Sequence, residues 1–199
     1  MTAPQHVGNH HEGLLLRPPA PGDRVRMLEL AHDPLQLAYG VPVGVPVPEE
    51  EADLDERVAR SRAAYERLEP GDLTVADAAD PDRFLASVAW RHDVPALLRI
   101  ADVGYSVHPD ARGRGVAVRS LRALVRWLLV DPGGPRQQRV QLDHSVENPA
   151  SCRTALAAGM PREGVRRGFL PLRGESGDPR RHDVCLHGLP VHDVLGPPA

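Results

Sequence analysis

Hydrophobic and polar positions change period several times along the chain, and each change marks an element. Leu14-Leu15-Leu16-Arg17 reads as a short strand that stops at Pro18-Pro19. Asp23 is placed to cap a helix running to about Leu30, with Val25 and Leu28 on its apolar side. Residues 41–48, VPVGVPVP, alternate Val with Pro or Gly; each Pro removes a ladder donor, so the stretch is an extended loop and not a central strand. Residues 49–68 are acidic first and Arg-rich later, the order a helix dipole favours, and predict a solvated helix. Strand-like runs follow at 73–76, 84–92 and 97–107, the last two joined by a short loop at Asp93-Val94-Pro95 and therefore antiparallel neighbours. From Val116 to Val130 the period becomes helical: Ala117, Leu121, Leu124, Val125 and Leu128 share one face, and Arg119, Arg122 and Arg126 fall outside it. Gly133-Gly134-Pro135 ends that helix and residues 139–145 alternate as a strand, which predicts a right-handed parallel crossover. A shorter helix runs from Pro149 to about Ala158 with Gly159 as its C-cap, and strands at 164–172 and 181–189 flank a turn containing Gly174 and Gly177. Residues 1–12 and 191–199 lack periodicity and read as loose arms around one domain at 13–190.

Composition narrows the chemistry. The 24 basic residues among 199 are all Arg, so mechanisms that need a lysine amine are excluded: a Walker phosphate loop, a protein-kinase lysine, a Schiff base to pyridoxal phosphate. Two cysteines, Cys152 and Cys185, are too few for a Cys-rich zinc site or a disulfide framework. The ten histidines are scattered without HExxH spacing, so no metal is expected. A net charge of −3 with interspersed signs argues against a broad nucleic-acid surface. The absence of a signal-like start or a long apolar run predicts a cytoplasmic chain with no membrane partner.

The informative stretch is HPDARGRGVAV, residues 108–118, between a strand and the amphipathic helix. Gly113 and Gly115 let backbone approach a ligand closely, and the amides from Gly113 through Val116 and Ala117 are the unpaired donors of a helix N-terminus, an anion cradle. Arg112 and Arg114 add charge suited to phosphate oxygens. The plainer alternative is a glycine turn with surface arginines. A dinucleotide fingerprint fails because Val118 stands where its third glycine belongs, and a hydrolase nucleophile elbow around Ser106 fails at His108.

The run from GYSVHPDARGRGVA to ENPASCRTALAAGM resembles the acetyl-CoA-binding core of the GNAT N-acetyltransferases, in particular the ribosomal-protein alanine acetyltransferase-like branch. Arg112, Gly115 and Ala117 meet the R/Q-x-x-G-x-G/A signature; Asn148, Ser151 and Gly159 meet the second motif, with Met160 in place of the usual Phe. The close match covers about residues 99–170; GLLLRP near the start and RRHDVCL near the end fit more loosely, and residues 35–80, the acceptor side, match nothing recognisable. The resemblance implies an α/β (α+β) fold, a mixed, mostly antiparallel sheet flanked by helices. It implies acetyl transfer from acetyl-CoA to a primary amine, of a protein N-terminus or a small molecule, by direct attack. A non-catalytic acyl-CoA sensor of the same fold is the alternative, and a homodimer is left open.

In this reading the cradle binds the pyrophosphate, and pantetheine lies between splayed strands ending near Val107 and Ser145. Tyr105 and Val107 line that slot, a backbone amide near Val107 polarises the thioester carbonyl, and Tyr105, Cys152 and Trp127 also read as packing residues. Asp102, a carboxylate in an apolar strand, is the candidate proton acceptor, or else a strand-end Asp paired with an arginine. Asn148 binds pantetheine, caps the following helix, or does both; Arg153 is an outer contact to the 3′-phosphate or a solvated arginine. Many relatives carry a tyrosine seven residues after the motif asparagine to protonate the leaving thiolate. Ala155 stands there, leaving Ser151 either as the substitute or as a partner for helix-start amides.

Overall fold

A computed structural model describes residues 8–195. Eight strands form one sheet in the order β1-β2-β3-β4-β5-β6-β8-β7. They are β1 (Asn9–His11), β2 (Leu14–Arg17), β3 (Gly71–Asp77), β4 (Asp80–Arg91), β5 (Ile100–Val107), β6 (Arg139–Ser145), β7 (Arg162–Leu172) and β8 (Arg180–Pro190). Every pairing is antiparallel except β5 with β6, the parallel pair joined by α3 (Val116–Leu129). α1 (Arg24–Ala31), α2 (Asp55–Glu66), α4 (Pro149–Ala157) and α5 (Val191–Leu195) complete the helices.

The larger core forms where the apolar side of α3 meets β2 to β6. Leu121, Leu124 and Leu128 are fully buried against Val75, Val88, Ala101 and Val140, and Ala155 of α4 closes one end. A smaller cluster of Met27, Leu30, Leu54, Val58 and Phe84 seats α1 and α2. All four residues of β2 are buried, so LLLR does not alternate: Leu14 and Leu16 join the larger core, and on the other face the Arg17 guanidinium is taken up by Asp23.

Three expectations are corrected. The arms are not wholly loose: Asn9–His11 pair with β2, and Val191–Leu195 form a helical turn held by the Val191 N–H on the Gln138 carbonyl (2.9 Å). The remainder of both arms, residues 1–7 and 196–199, lies outside the described residues. Asp23 does not cap α1; its buried carboxylate makes two hydrogen bonds with Arg17 (2.7 and 2.8 Å) and accepts from Thr74 (2.9 Å), tying α1 to the sheet. Breaking such a buried pair costs about 3–5 kcal/mol, more than a cap is worth. Leu97 and Leu98 are not strand; they lie in the tight turn Ala96–Leu98, and Arg99, with φ of +53°, turns the chain into β5.

Candidate active site

After β5 the chain makes a turn at Pro109–Ala111 and reaches Gly113 and Gly115, with φ of +73° and +69°, left-handed conformations that glycine adopts without strain. A Cβ at either position would meet nothing within 4 Å, because both face a cleft of about 190 Å³ lined by Val107, Arg112, Ala117 and Thr154. The N–H groups of residues 113–118 have no acceptor among the described residues; the first main-chain bond of α3 is Arg119 N–H to the Gly115 carbonyl (3.2 Å). A row of unpaired donors at a helix N-terminus opening on a glycine-walled cleft has the donor geometry that an anion would need.

The two arginines of the cradle differ. Arg112 is engaged: both terminal guanidinium nitrogens donate to Asp33 (3.1 and 2.6 Å) and Nε donates to the Val107 carbonyl (3.1 Å), so it fastens the loop to the segment after α1. Burial pushes the Asp33 carboxyl up, but hydrogen bonds from Arg112 and the Gln36 amide outweigh it and hold the group below the usual carboxylate value. Arg114 is exposed and rests on the Asp110 carbonyl (2.6 Å), leaving its charge at the mouth of the cleft. A second tie runs through buried His108, which bridges Glu29 and Asp110 (2.9 Å each), while Arg26 bonds Asp110 and, with a smaller contribution from His108, holds its carboxyl down at about 2.

β5 and β6 pair only at Ile100, Ala101 and Asp102. Beyond Asp102 they part. The His108 N–H bonds the Leu85 carbonyl (3.0 Å) and Val107 lies opposite Ala86, so the N–H groups of Val107 and, two residues earlier, Tyr105 point away from β4 into the gap. On the far side of this opening stands α4. The Asn148 side chain accepts the Ser151 N–H (3.2 Å) and so caps α4, leaving the Ser151 hydroxyl for another partner: the Tyr105 phenol, 2.9 Å away. Thus Tyr105, Val107, Asn148 and Ser151, far apart in sequence, converge on one opening. Arg153 is exposed on α4, and Thr154, one residue on, lines the cleft.

Asp102 lies at the closed end of the opening, on the sheet face that β5 turns away from α3. Its carboxylate accepts from the Asp93 N–H (3.0 Å) and from Gln141 Nε2 (2.5 Å). Sequence reading missed a second carboxylate nearby. Asp143, two residues beyond Gln141 and on the same face of β6, gives one oxygen to Arg166 (2.8 Å) and keeps the other, Oδ1, buried without a hydrogen-bond partner among the described residues. Burial pushes the Asp143 carboxyl up, Arg166 pulls it down, and the charges of Asp102 and Asp93 raise it further. Burial likewise raises Asp93. The signal was present in the alternation of residues 139–145, which places Gln141 and Asp143 on one face of the strand.

The unmatched segment 35–80 contributes the opposite wall. A π-type turn at Gln36–Gly40 is stitched to the β7–β8 hairpin by Gly174 N–H to Ala38 (3.0 Å), and Val43 N–H bonds Pro171 (2.8 Å). Gln36 also bonds Ser106 of β5. Tyr39 lies nearby, its phenol pushed up by burial and by the charges of Glu175 and Glu147. His182 of β8, buried beside the end of β6, meets the Ser145 hydroxyl (2.9 Å) through Nδ1 while its Nε2 has no partner among the described residues. A larger cavity, about 530 Å³, lies between residues 46–49 and α2 and contains none of the cradle residues. No helix among the described residues is long and apolar enough to cross a membrane.

The sequence pattern of the acetyltransferase (GNAT) domain matches residues 13–161. No curated protein matches the chain significantly. Among solved structures, ribosomal-protein-S5-alanine acetyltransferase from Vibrio fischeri superposes with a TM-score of 0.75 at 16% identity, covering 94% of this chain and 98% of that one. Spermidine N-acetyltransferase from Vibrio cholerae, solved with CoA and spermine, gives 0.73 at 18% identity over 92% and 99%. Mycobacterium smegmatis RimJ, solved with CoA-disulfide, gives 0.75 at 18% over 92% and 84%. At these identities the structures bear on the fold, and the domain match, which spans most of the sequence, carries the assignment. This chain therefore belongs to the GNAT acetyltransferase family.

Proposed function

We propose that the protein transfers an acetyl group from acetyl-CoA to a primary amine, of a protein N-terminus or a small molecule, by direct attack in a ternary complex. The observation that carries this reading is the row of unpaired N–H groups at residues 113–118, opening on a glycine-walled cleft beside the parted strands. Bound acetyl-CoA would supply an activated thioester and an anionic pyrophosphate. The cradle amides, with Arg114 at the mouth, hold the pyrophosphate; Arg112 keeps the loop in shape through Asp33. The N–H groups of Tyr105 and Val107 donate to a carbonyl oxygen in the gap, where preorganised donors favour developing negative charge.

Proton handling divides between two clusters. On the acceptor side, the free Oδ1 of Asp143 takes the amine proton, and Asp102 acts through its charge, keeping Asp143 basic enough to do so. On the cofactor side, the Tyr105 phenol, held by Ser151, donates to the departing sulfur. The phenol that many relatives carry on the helix is provided here from the strand, which argues for turnover over the sensor reading despite Ala155. The test is release of free CoA thiol from acetyl-CoA across a panel of N-terminal peptides and small amines. Amine-dependent release by wild type, lost in Asp143→Asn, supports the proposal; tight CoA binding with no release by any amine establishes the sensor.

A further inference from the structure

Behind α4, three side chains from three elements converge: His144 of β6, His187 of β8 and Cys152 of α4, whose ligand atoms lie within 4.8 Å of one another. Both imidazoles are buried, and the thiol is half-buried. His144 gives its Nδ1–H to the Ser145 carbonyl (2.8 Å), and His187 gives its own to the Met160 carbonyl (3.0 Å). A carbonyl only accepts, so each neutral ring carries its proton on Nδ1 and presents a lone pair on Nε2. Those two Nε2 atoms face each other at 3.2 Å. Two lone pairs at that distance repel unless an electron-pair acceptor lies between them.

From this arrangement we infer a metal site, with His144 Nε2, His187 Nε2 and Cys152 Sγ as ligands for a borderline-soft cation, Zn²⁺ before any other. Tetrahedral Zn–N bonds of about 2.0–2.1 Å place two ligand nitrogens about 3.3 Å apart. The observed separation is 3.2 Å, close to that spacing, and Cys152 Sγ, within 4.8 Å of both nitrogens, has to approach by about 1 Å to complete a Zn–S bond. Each histidine is oriented through Nδ1 by a backbone carbonyl, the outer-sphere support that metal-bound imidazoles carry. Three protein ligands leave one coordination position open. Binding requires Cys152 as thiolate while both Nε2 atoms are already unprotonated, so one thiol proton leaves per ion. The expectation of no metal rested on spacings within one segment; these ligands are distant in sequence and meet only across the sheet. The ion would tie α4, and with it Asn148 and Ser151, to β6 and β8. The inference does not depend on acetyl transfer.

The test titrates chelator-treated full-length protein with Co²⁺, then Zn²⁺, with Ca²⁺ as the hard-cation control. Expected are one equivalent of Co²⁺ with a thiolate-to-cobalt charge-transfer band and tetrahedral ligand-field bands, one proton released, displacement by Zn²⁺, and no response to Ca²⁺. Cys152→Ser, at a half-buried position where the fold is retained, should abolish the charge-transfer band and weaken binding by more than the about 10–100-fold that losing an outer-sphere partner costs. Absence of the band at saturating Co²⁺ would overturn the site and leave the imidazoles as a pair sharing one proton. Binding that Cys152→Ser leaves unchanged would overturn it too, placing the ion elsewhere.

Discussion

The half of the molecule built from β5, α3, β6 and α4 and the half built from residues 21–68 with the β7–β8 hairpin meet at one opening but are made differently. The first is periodic: α3 buries one continuous stripe, and its N-terminus is set by Gly115. The second seats α1 and α2 on a smaller apolar cluster, and the stretch between them, with little regular structure, is held by individual polar ties such as Gly174 to Ala38 and Gln36 to Ser106. A common ligand with an invariant pyrophosphate suits a rigid periodic cradle. A wall stitched by single hydrogen bonds can change without disturbing the core.

The largest expected effect lies where the two halves touch. Asp143→Asn should lower turnover by roughly 10²–10⁴-fold, the usual worth of a general base, while CoA affinity stays at wild-type level. Steady-state kinetics alongside CoA titration would show this, and a parallel loss of CoA binding would mean that the carboxylate is structural. Because burial and the neighbouring charges raise Asp143, the acid limb of kcat/KM should lie above the ordinary aspartate value of about 3.9. Asp102→Asn removes one of those charges and should move that limb to lower pH, a shift that a merely structural role for Asp102 would not produce.

Next comes the cofactor half alone. Gly115→Asp combines a left-handed φ, costing a side chain about 1–2 kcal/mol, with a negative charge at an anion site. CoA affinity should fall at least about tenfold with the sheet intact by circular dichroism, and an unchanged dissociation constant would place the cofactor elsewhere.

Tyr105→Phe and Ser151→Ala separate chemistry from capping. Asn148, not Ser151, caps α4, so Ser151→Ala should reduce the rate with melting temperature nearly unchanged, whereas Asn148→Ala should cost about 1 kcal/mol of stability. A stability loss at Ser151 with full activity would reverse these roles.

The smallest effect concerns Asp33. Its folded value lies below its unfolded one, so the pairing with Arg112 contributes stability that is full above the ordinary aspartate value and declines as pH falls below it. Asp33→Asn should flatten that part of a pH–melting curve and loosen the cradle without removing its amides.

The two halves were also unequally legible in sequence. α3 was readable because Leu121, Leu124 and Leu128 repeat with helical period, and β6 because residues 139–145 alternate. The unpaired amides of residues 113–118 were readable because they are main-chain groups whose positions two glycines announce. The engagement of Arg112 by Asp33 could not be read, since an arginine that holds a loop and one that holds a phosphate have the same side chain and differ only in what lies across from them. The Tyr105–Ser151 contact and the Asp143 carboxylate were hidden for the same reason: each depends on where β6 and α4 stand relative to β5, which no local spacing encodes.

The central claim, that residues 113–118 are the anion cradle for CoA, is tested most directly by following backbone amide resonances during a CoA titration. The account predicts saturable binding with the largest shifts at Gly113 through Val118 and the next largest at Tyr105 and Val107. Saturable binding that leaves those amides unmoved and shifts residues 46–60 instead, or no binding at all, would contradict it.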